Sequence, residues 1–302
     1  MLTGPAARAL AALGVPRGHT TVLKDVPLEN ASWLVTTPAG ARRVLRRYHA
    51  WTSQEDLAYE HAVLRHLARS GWLVPGPLGE PIQLEGRWYG LTRYVPGRPA
   101  GPESRAQRRQ RGHDLARLHL SLRGLGPRVG QRPGWRALHT GVTMHTGLDW
   151  PAAVRGLLAV SPRLGSWAAA AASETSAALT AIGADQLPVM VVHGDFAEWN
   201  VHYDRGRLAG VIDFGLTHLD SRPFELAIAR TYRAPEVTAA YRAELARAGW
   251  PLSPLEEAAI EPVYRAFRVD MAAWQLEQGR RTGQYDLTMI ERQLARTGTA
   301  PC

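Results

Sequence analysis

Residues Pro188–Gly215 read PVMVVHGDFAEWNVHYDRGRLAGVIDFG. Apolar Val189 to Val192 feed a loop carrying His193, Asp195 and Asn200, and a second apolar run ends at Asp213, Phe214 and Gly215. An Asp and an Asn five residues apart on a strand would face opposite sides, whereas on a loop both side chains fold back to one point. The turn Asp204-Arg205-Gly206-Arg207 between the two runs reverses the chain, so Asp213 returns beside Asn200. A carboxylate, an amide oxygen and a second carboxylate at one edge are what in-line phosphoryl transfer from a magnesium-bound nucleotide requires, because catalysis there is mostly positioning and charge neutralisation. In that chemistry Asp195 accepts the proton of an attacking hydroxyl, while Asn200 and Asp213 hold the metal.

The pattern H-G-D-F-A-E-W-N followed by I-D-F-G resembles the aminoglycoside phosphotransferase and choline kinase-like family, small-molecule kinases whose fold is similar to that of protein kinases. The resemblance implies an α+β fold of two lobes. The first, 1–96, is a small nucleotide-binding lobe with a five-stranded antiparallel sheet and one helix; the second, 97–302, is larger, mostly helical, and carries catalysis and acceptor binding. It also implies ATP or GTP as donor, Mg2+ as cofactor, Asp195 as general base and Asn200 and Asp213 as metal ligands. His193 is scaffolding in such loops and is assigned no chemistry.

Composition sets the class. The 302 residues are 45% hydrophobic and 21% charged, as in a globular protein. The one cysteine, Cys302, allows no intrachain disulfide, and no secretory leader or membrane-spanning run is visible, so the cytoplasm is the expected compartment. Of the net charge of +9, a surplus of +8 falls between Arg98 and Arg136, where ten arginines face only Glu103 and Asp114. Charge so localised predicts a solvated helix face rather than a nucleic-acid site, and few aromatics interleave with it.

Along the chain, Thr20 to Leu23, Ala31 to Thr36, Arg43 to Tyr48, Pro81 to Leu84 and Trp88 to Val95 read as strands. A helix is expected from Ser53, a possible N-cap, to Ser70, with Leu57, Val63, Leu64 and Leu67 on one face. The resemblance places nucleotide-binding residues on this lobe. Asn30 lies in the Pro27–Ser32 loop over the phosphates; Arg46 carries a cation to the α- and β-phosphates, with Glu60 pairing it; Arg93, Tyr94 and Val95 form the hinge whose backbone meets the adenine edge. Arginine stays charged when partly buried and binds phosphate bidentately, so it can stand where protein kinases have lysine.

Beyond the hinge, helices are expected over Pro102–Leu122, from Pro151 with Asp149 as cap, and over Ser173–Ile182. Residues Gly124 to Thr146 form a long connection with a short helix near Trp135 to His139. Further helices are expected at Phe224–Tyr232, Ala234–Ala248, Leu255–Gln278 and Asp286–Ala295. His119 is expected to be a packed structural histidine. The family's usual Asp before Leu-Ala is Glu225 here.

The partner is a small molecule with a hydroxyl; neither nucleic acid nor membrane is expected, and the oligomeric state is unassigned. Glu198, Trp199, Asp220, Asp270 and Trp274 are the candidate acceptor contacts, by charge or by stacking. An antibiotic or other natural product is the favoured acceptor, for resistance or biosynthesis. The alternatives are a primary metabolite such as homoserine or choline, or a catalytically weak nucleotide-binding protein of the same fold.

Overall fold

Alternation in the stretch ASWLVT buries Ala31, Trp33 and Val35 on one face, and on that face the first core is built. The computed structural model describes residues 4–15, 18–24, 30–101, 103–144, 147–230 and 234–301. Helix α1 (Gly4–Ala12) precedes strands β1 (His19–Lys24), β2 (Ala31–Thr36) and β3 (Arg42–Arg47), helix α2 (Gln54–Arg69), and strands β4 (Ile82–Leu84) and β5 (Arg87–Arg93). The five strands form one antiparallel sheet in the order β1-β2-β3-β5-β4. Ser53 caps α2 in a reciprocal capping box with Asp56, and Leu57, Val63, Leu64 and Leu67 are buried. Helix α1 was not expected; its buried Ala6 and Ala9 join the sheet's core.

Then follow β6 (Arg98–Pro99), α3 (Arg105–Leu122), α4 (Gly126–Val129), α5 (Trp150–Val160), α6 (Pro162–Ala181), β7 (Met190–Val192), β8 (Val201–Asp204), β9 (Arg207–Val211), β10 (His218–Asp220), α7 (Arg222–Ala229), α8 (Pro235–Arg247), α9 (Pro254–Thr282) and α10 (Leu287–Ala295). Strands β6, β8 and β9 make a small sheet, and β7 pairs with β10. The β8–β9 turn has positive φ at Arg205 (48°) and Gly206 (77°), the two-residue turn that suits a twisted hairpin.

Helix α6 starts at Pro162, well before the expected Ser173, because Ser161 caps it and proline fits its first turn. Helix α9 runs through Pro262 and stops only at Gly283, whose left-handed backbone (φ 72°) ends it. The short helix expected near Trp135 is a 3₁₀ turn, Leu138–Thr140. Residues 27–29 of the expected phosphate loop, Pro102, positions 145–146, Thr231, Tyr232 and Cys302 lie outside the described residues.

The basic stretch is not simply a solvated face. Arg111 and Arg132 are 2% and 1% exposed. Arg111 pairs with Glu103 (2.7 Å) and Arg132 donates to the Thr217 carbonyl (2.9 Å), so part of the charge surplus is consumed inside the fold.

The chain forms two compact units, Met1–Gly101 with Trp199–Gly215, and Pro102–Glu198 with Leu216–Cys302. The first is therefore discontinuous in sequence. In it Gly97 allows β6 to approach the hairpin: a Cβ there would lie 2.8 Å from the Tyr203 carbonyl oxygen. Two clusters of buried residues stand out among the described residues of the second unit. One gathers Trp135, Leu138, Val192, Phe224, Val263 and Tyr264; the other gathers Leu157, Leu164, Trp167, Val269, Leu276 and Ile290. Among the described residues no helix is long and apolar enough to cross a membrane.

Candidate active site

In the first unit β3 carries Arg46 inward, 8% exposed, while α2 brings Glu60, 3% exposed, to the same place. Arg46 Nη1 donates to Glu60 Oε1 at 2.8 Å and Nη2 donates to Asp213 Oδ1 at 2.9 Å. Burial alone would lower the Arg46 pKa, but Glu60, Asp213 and Tyr48 more than reverse it, so the guanidinium stays charged. The Arg–Glu pair implied by the resemblance is thus present, with Asp213 as a second partner on the exposed side. Asp213 itself has φ 61°, a left-handed backbone rare outside glycine and a mark of functional turns. Gly215 completes the turn: a Cβ there would lie 2.8 Å from Arg46 Nη2 and 3.4 Å from Asp213 Oδ1.

Asn200 ends the 3₁₀ turn immediately before β8, and Asp213 stands just past the end of β9. The Ile212 N–H donates to the Asn200 carbonyl at 2.9 Å, so the hairpin brings the two to one end. One carboxylate and one amide suit magnesium, which is held by few protein oxygens and completes its shell with phosphate and water. Among the described residues no group of three or more His, Cys, Asp or Glu could hold a metal ion. Asn30 Oδ1 accepts from the His49 N–H at 3.0 Å, tying the entry of β2 to the exit of β3. At the expected hinge, the Arg93 N–H is taken by the Gly76 carbonyl (2.9 Å), the Tyr94 ring carries the Arg42 guanidinium at 3.8 Å, and Val95 is buried.

In the second unit β7 delivers the loop His193–Glu198, and α7 holds it. Glu225, wholly buried, accepts from the backbone N–H groups of His193, Gly194 (3.2 Å) and Phe196 (3.2 Å). Burial would raise the Glu225 pKa, but His119, His193 and the Gly194 N–H hold it below the ordinary value, so it is an anion bonded to the loop's backbone. Gly194 has φ 87°, and a Cβ there would strike the Leu216 carbonyl oxygen at 2.1 Å. The Asp195 N–H donates to His193 Nδ1 at 3.1 Å, and the Asp195 carbonyl accepts from Ala197 N–H at 2.8 Å. His193 therefore scaffolds the turn. His119 is buried with Nδ1 2.7 Å from the Tyr241 hydroxyl and Nε2 3.9 Å from Glu225.

The candidate acceptor residues differ among themselves. Asp220 is fully buried and accepts from the N–H groups of Leu138 (2.7 Å) and Ser221 (2.6 Å), beside His139 and His218. Burial opposes its ionisation, but these partners keep its pKa low. Asp270 is 3% exposed and accepts from Met144 N–H at 3.1 Å; burial pushes its carboxyl up to about 7. Glu198 lies 4.0 Å from Arg111, Trp199 is 46% exposed, and Trp274 is half-buried on α9. Sequence reasoning passed over Tyr48 behind Arg46, and Arg111, whose Nη1 donates to the Ala229 carbonyl at the end of α7. The Tyr at the end of an Arg-bearing strand was the available signal.

An antiparallel sheet with a buried strand cation, paired to a helix carboxylate and to the Asp of an Asp-Phe-Gly turn, together with a helical unit that clamps a His-Gly-Asp loop, defines a phosphotransferase of protein kinase-like fold. The chain belongs to the phosphotransferase enzyme family APH, whose model matches residues 25–260, and is a small-molecule phosphotransferase. It is 27% identical over 260 residues to a homoserine kinase of Phenylobacterium zucineum, covering 82% of this chain and 76% of that protein. Among solved structures it resembles the amicoumacin kinase hAmiN in complex with AMP-PNP, Ca2+ and Ami, with TM-score 0.70, 15% identity and coverage of 99% and 95% of the two chains. It also resembles the aminoglycoside phosphotransferase APH(2")-IIia in complex with GDP and kanamycin, with TM-score 0.67, 15% identity and coverage of 97% and 96%.

Proposed function

We propose that the protein transfers the γ-phosphoryl group of ATP or GTP to the hydroxyl of a small molecule. The observation that carries this reading is Arg46 held between Glu60 at 2.8 Å and Asp213 at 2.9 Å. Asp195 accepts the hydroxyl proton as the acceptor oxygen bonds to the γ-phosphorus and the bond to the bridging oxygen breaks. Arg46 binds α- and β-phosphate oxygens, Glu60 keeps it aimed, and the backbone from Arg93 to Val95 takes the base, with Asn30 near the phosphates. Asn200 and Asp213 hold Mg2+, which when bound neutralises phosphate charge. Residues 1–96 serve the nucleotide and 97–302 catalysis and the acceptor. A cytoplasmic site of action follows from the nucleotide donor.

Two readings of the acceptor have support. An antibiotic or other natural product fits the names of the structural neighbours, and homoserine fits those of the relatives in sequence. The carboxylates of the second unit bear on both. Glu256 is paired with Arg222 (2.5 Å), Glu277 with Arg280 and Arg281 (2.7 and 2.6 Å), and Glu244 with Arg117 (3.5 Å) and Arg247. Acidic groups so engaged support an acceptor with few positive charges over a polycation, and Glu198, Trp199 and Trp274 are its proposed contacts; Asp220 and Asp270, expected to join them, are buried and bonded to backbone N–H groups instead.

The test is magnesium-dependent ADP release across a panel holding homoserine, choline, aminoglycosides and macrolides, with products identified by mass spectrometry. One acceptor class should gain the mass of a phosphoryl group, and Asp195→Ala should lower kcat by about 10²–10⁴ while nucleotide still binds. Normal turnover in that variant would remove Asp195 from the mechanism.

A further inference from the structure

The cation of β3 has a wall behind it that no catalytic role yet uses. Tyr48, one residue past the end of β3, is 1% exposed, and its ring centroid lies 5.0 Å from Arg46 Cζ. Three elements build that position. From α2, His61 places Nε2 3.3 Å from the Tyr48 hydroxyl, one residue after the Glu60 that holds Arg46. From β5, Gly90 lies directly opposite Arg46 in register, and a Cβ there would stand 3.1 Å from the Tyr48 hydroxyl and 3.2 Å from Cε2. The Tyr48 backbone is fixed as well: its N–H donates to the Trp88 carbonyl (3.0 Å) and its carbonyl accepts from Arg87 Nη2 (2.8 Å).

We propose that Tyr48 is a positioning residue for the nucleotide half of the site, its ring fixing where the Arg46 guanidinium stands when phosphate arrives. The proposal rests on the reading of Arg46 as the phosphate-binding cation. Glu60 and Asp213 each take one N–H donor of the guanidinium, and phosphate oxygens need the others. A ring attracts the cation without taking a donor, so it fixes the group while leaving those N–H groups to phosphate. Glycine at position 90 is then the residue that admits the ring, and consecutive Glu60 and His61 dock α2 on the cation and on its support together.

Isothermal titration of ADP and of adenosine, with thermal melts alongside, tests this on wild type, Tyr48→Phe, Tyr48→Leu, Gly90→Ala and Arg46→Gln. Tyr48→Leu should weaken ADP about tenfold and leave adenosine, which has no phosphate, unchanged. Tyr48→Phe keeps the ring and should stay within about twofold of wild type, while Gly90→Ala crowds an intact ring and should shift ADP in the same direction as Tyr48→Leu. Equal losses for ADP and adenosine would reduce Tyr48 to a structural residue and overturn the proposal, as would unchanged ADP binding in both Tyr48→Leu and Gly90→Ala, or a Phe variant as weak as the Leu one. Arg46→Gln separates the two layers. If it binds ADP like wild type, the phosphate role of Arg46 falls; if it weakens ADP while Tyr48→Leu does not, only the positioning role falls.

Discussion

Asp270 shows what burial does to a single carboxyl. Its ordinary pKa is 3.8, and burial, helped by nearby Asp220, brings it to about 7 against the pull of the Met144 N–H and Arg136. Between those two values the folded protein keeps a proton that the unfolded chain has released, so stability falls as pH rises through that window and levels off above it. Asp270→Asn keeps an oxygen for the Met144 N–H and does not titrate. Urea midpoints at pH 5 and pH 8 should therefore show the variant gaining on wild type with rising pH, by about 2.7 kcal/mol for the two pH units between 5 and about 7. Equal pH dependence in the two proteins would mean that Asp270 titrates normally. Single residues were also where the sequence was most and least legible. Asp195, Asn200 and Asp213 stand out because their types and spacing are dictated by charge chemistry. Tyr48 and Arg111 do not, because burial depends on neighbours such as Gly90 and Glu103 that lie far away along the chain or carry no pattern.

At the scale of elements, α7 is the part that acts beyond its own length. Its Glu225 receives three backbone N–H groups of the loop before β8, with His119 of α3 behind it. Glu225→Ala would leave those donors buried without a partner, at a cost of about 3 kcal/mol or more, which for a chain of this size is a fall in Tm of about 6 °C or more. Calorimetry measures the melt, and kcat measured well below it should fall too, because the loop that carries Asp195 loses its anchor. An unchanged melt would show that the loop is held by other means. Strands and helices were largely legible, since β2 alternates and Ser53 with Asp56 announces α2. The start of α6 and the full length of α9 were not. A proline reads as a breaker, yet Pro162 sits in a first turn and Pro262 is carried within a helix whose apolar side is packed over its length.

For the whole molecule, the decisive fact is that the first unit takes 199–215 from the second half of the sequence. The hairpin supplies Tyr203 and His202 to pair with β6, the Val211 N–H to the Leu73 carbonyl (3.0 Å), and Asp213 to Arg46. A fragment of residues 1–101 should therefore lack a cooperative unfolding transition, and the same fragment carrying 199–215 through a flexible linker should recover one. Denaturation followed by the fluorescence of Trp33, Trp51, Trp72 and Trp88 distinguishes the two, and a sharp transition in the shorter fragment would show that the hairpin is dispensable.

The same discontinuity sets an order of events on the ribosome. When residue 101 has left the exit tunnel, Arg46 and Glu60 already exist, but the Asp that completes their cluster does not. The whole of 102–198 must be translated before the missing hairpin emerges. Through that interval the segments of β1 to β5 wait with Val95, which the hairpin strand at Gly210 covers in the finished fold, exposed, and the nascent chain is open to chaperones and proteases until Gly215 clears the tunnel.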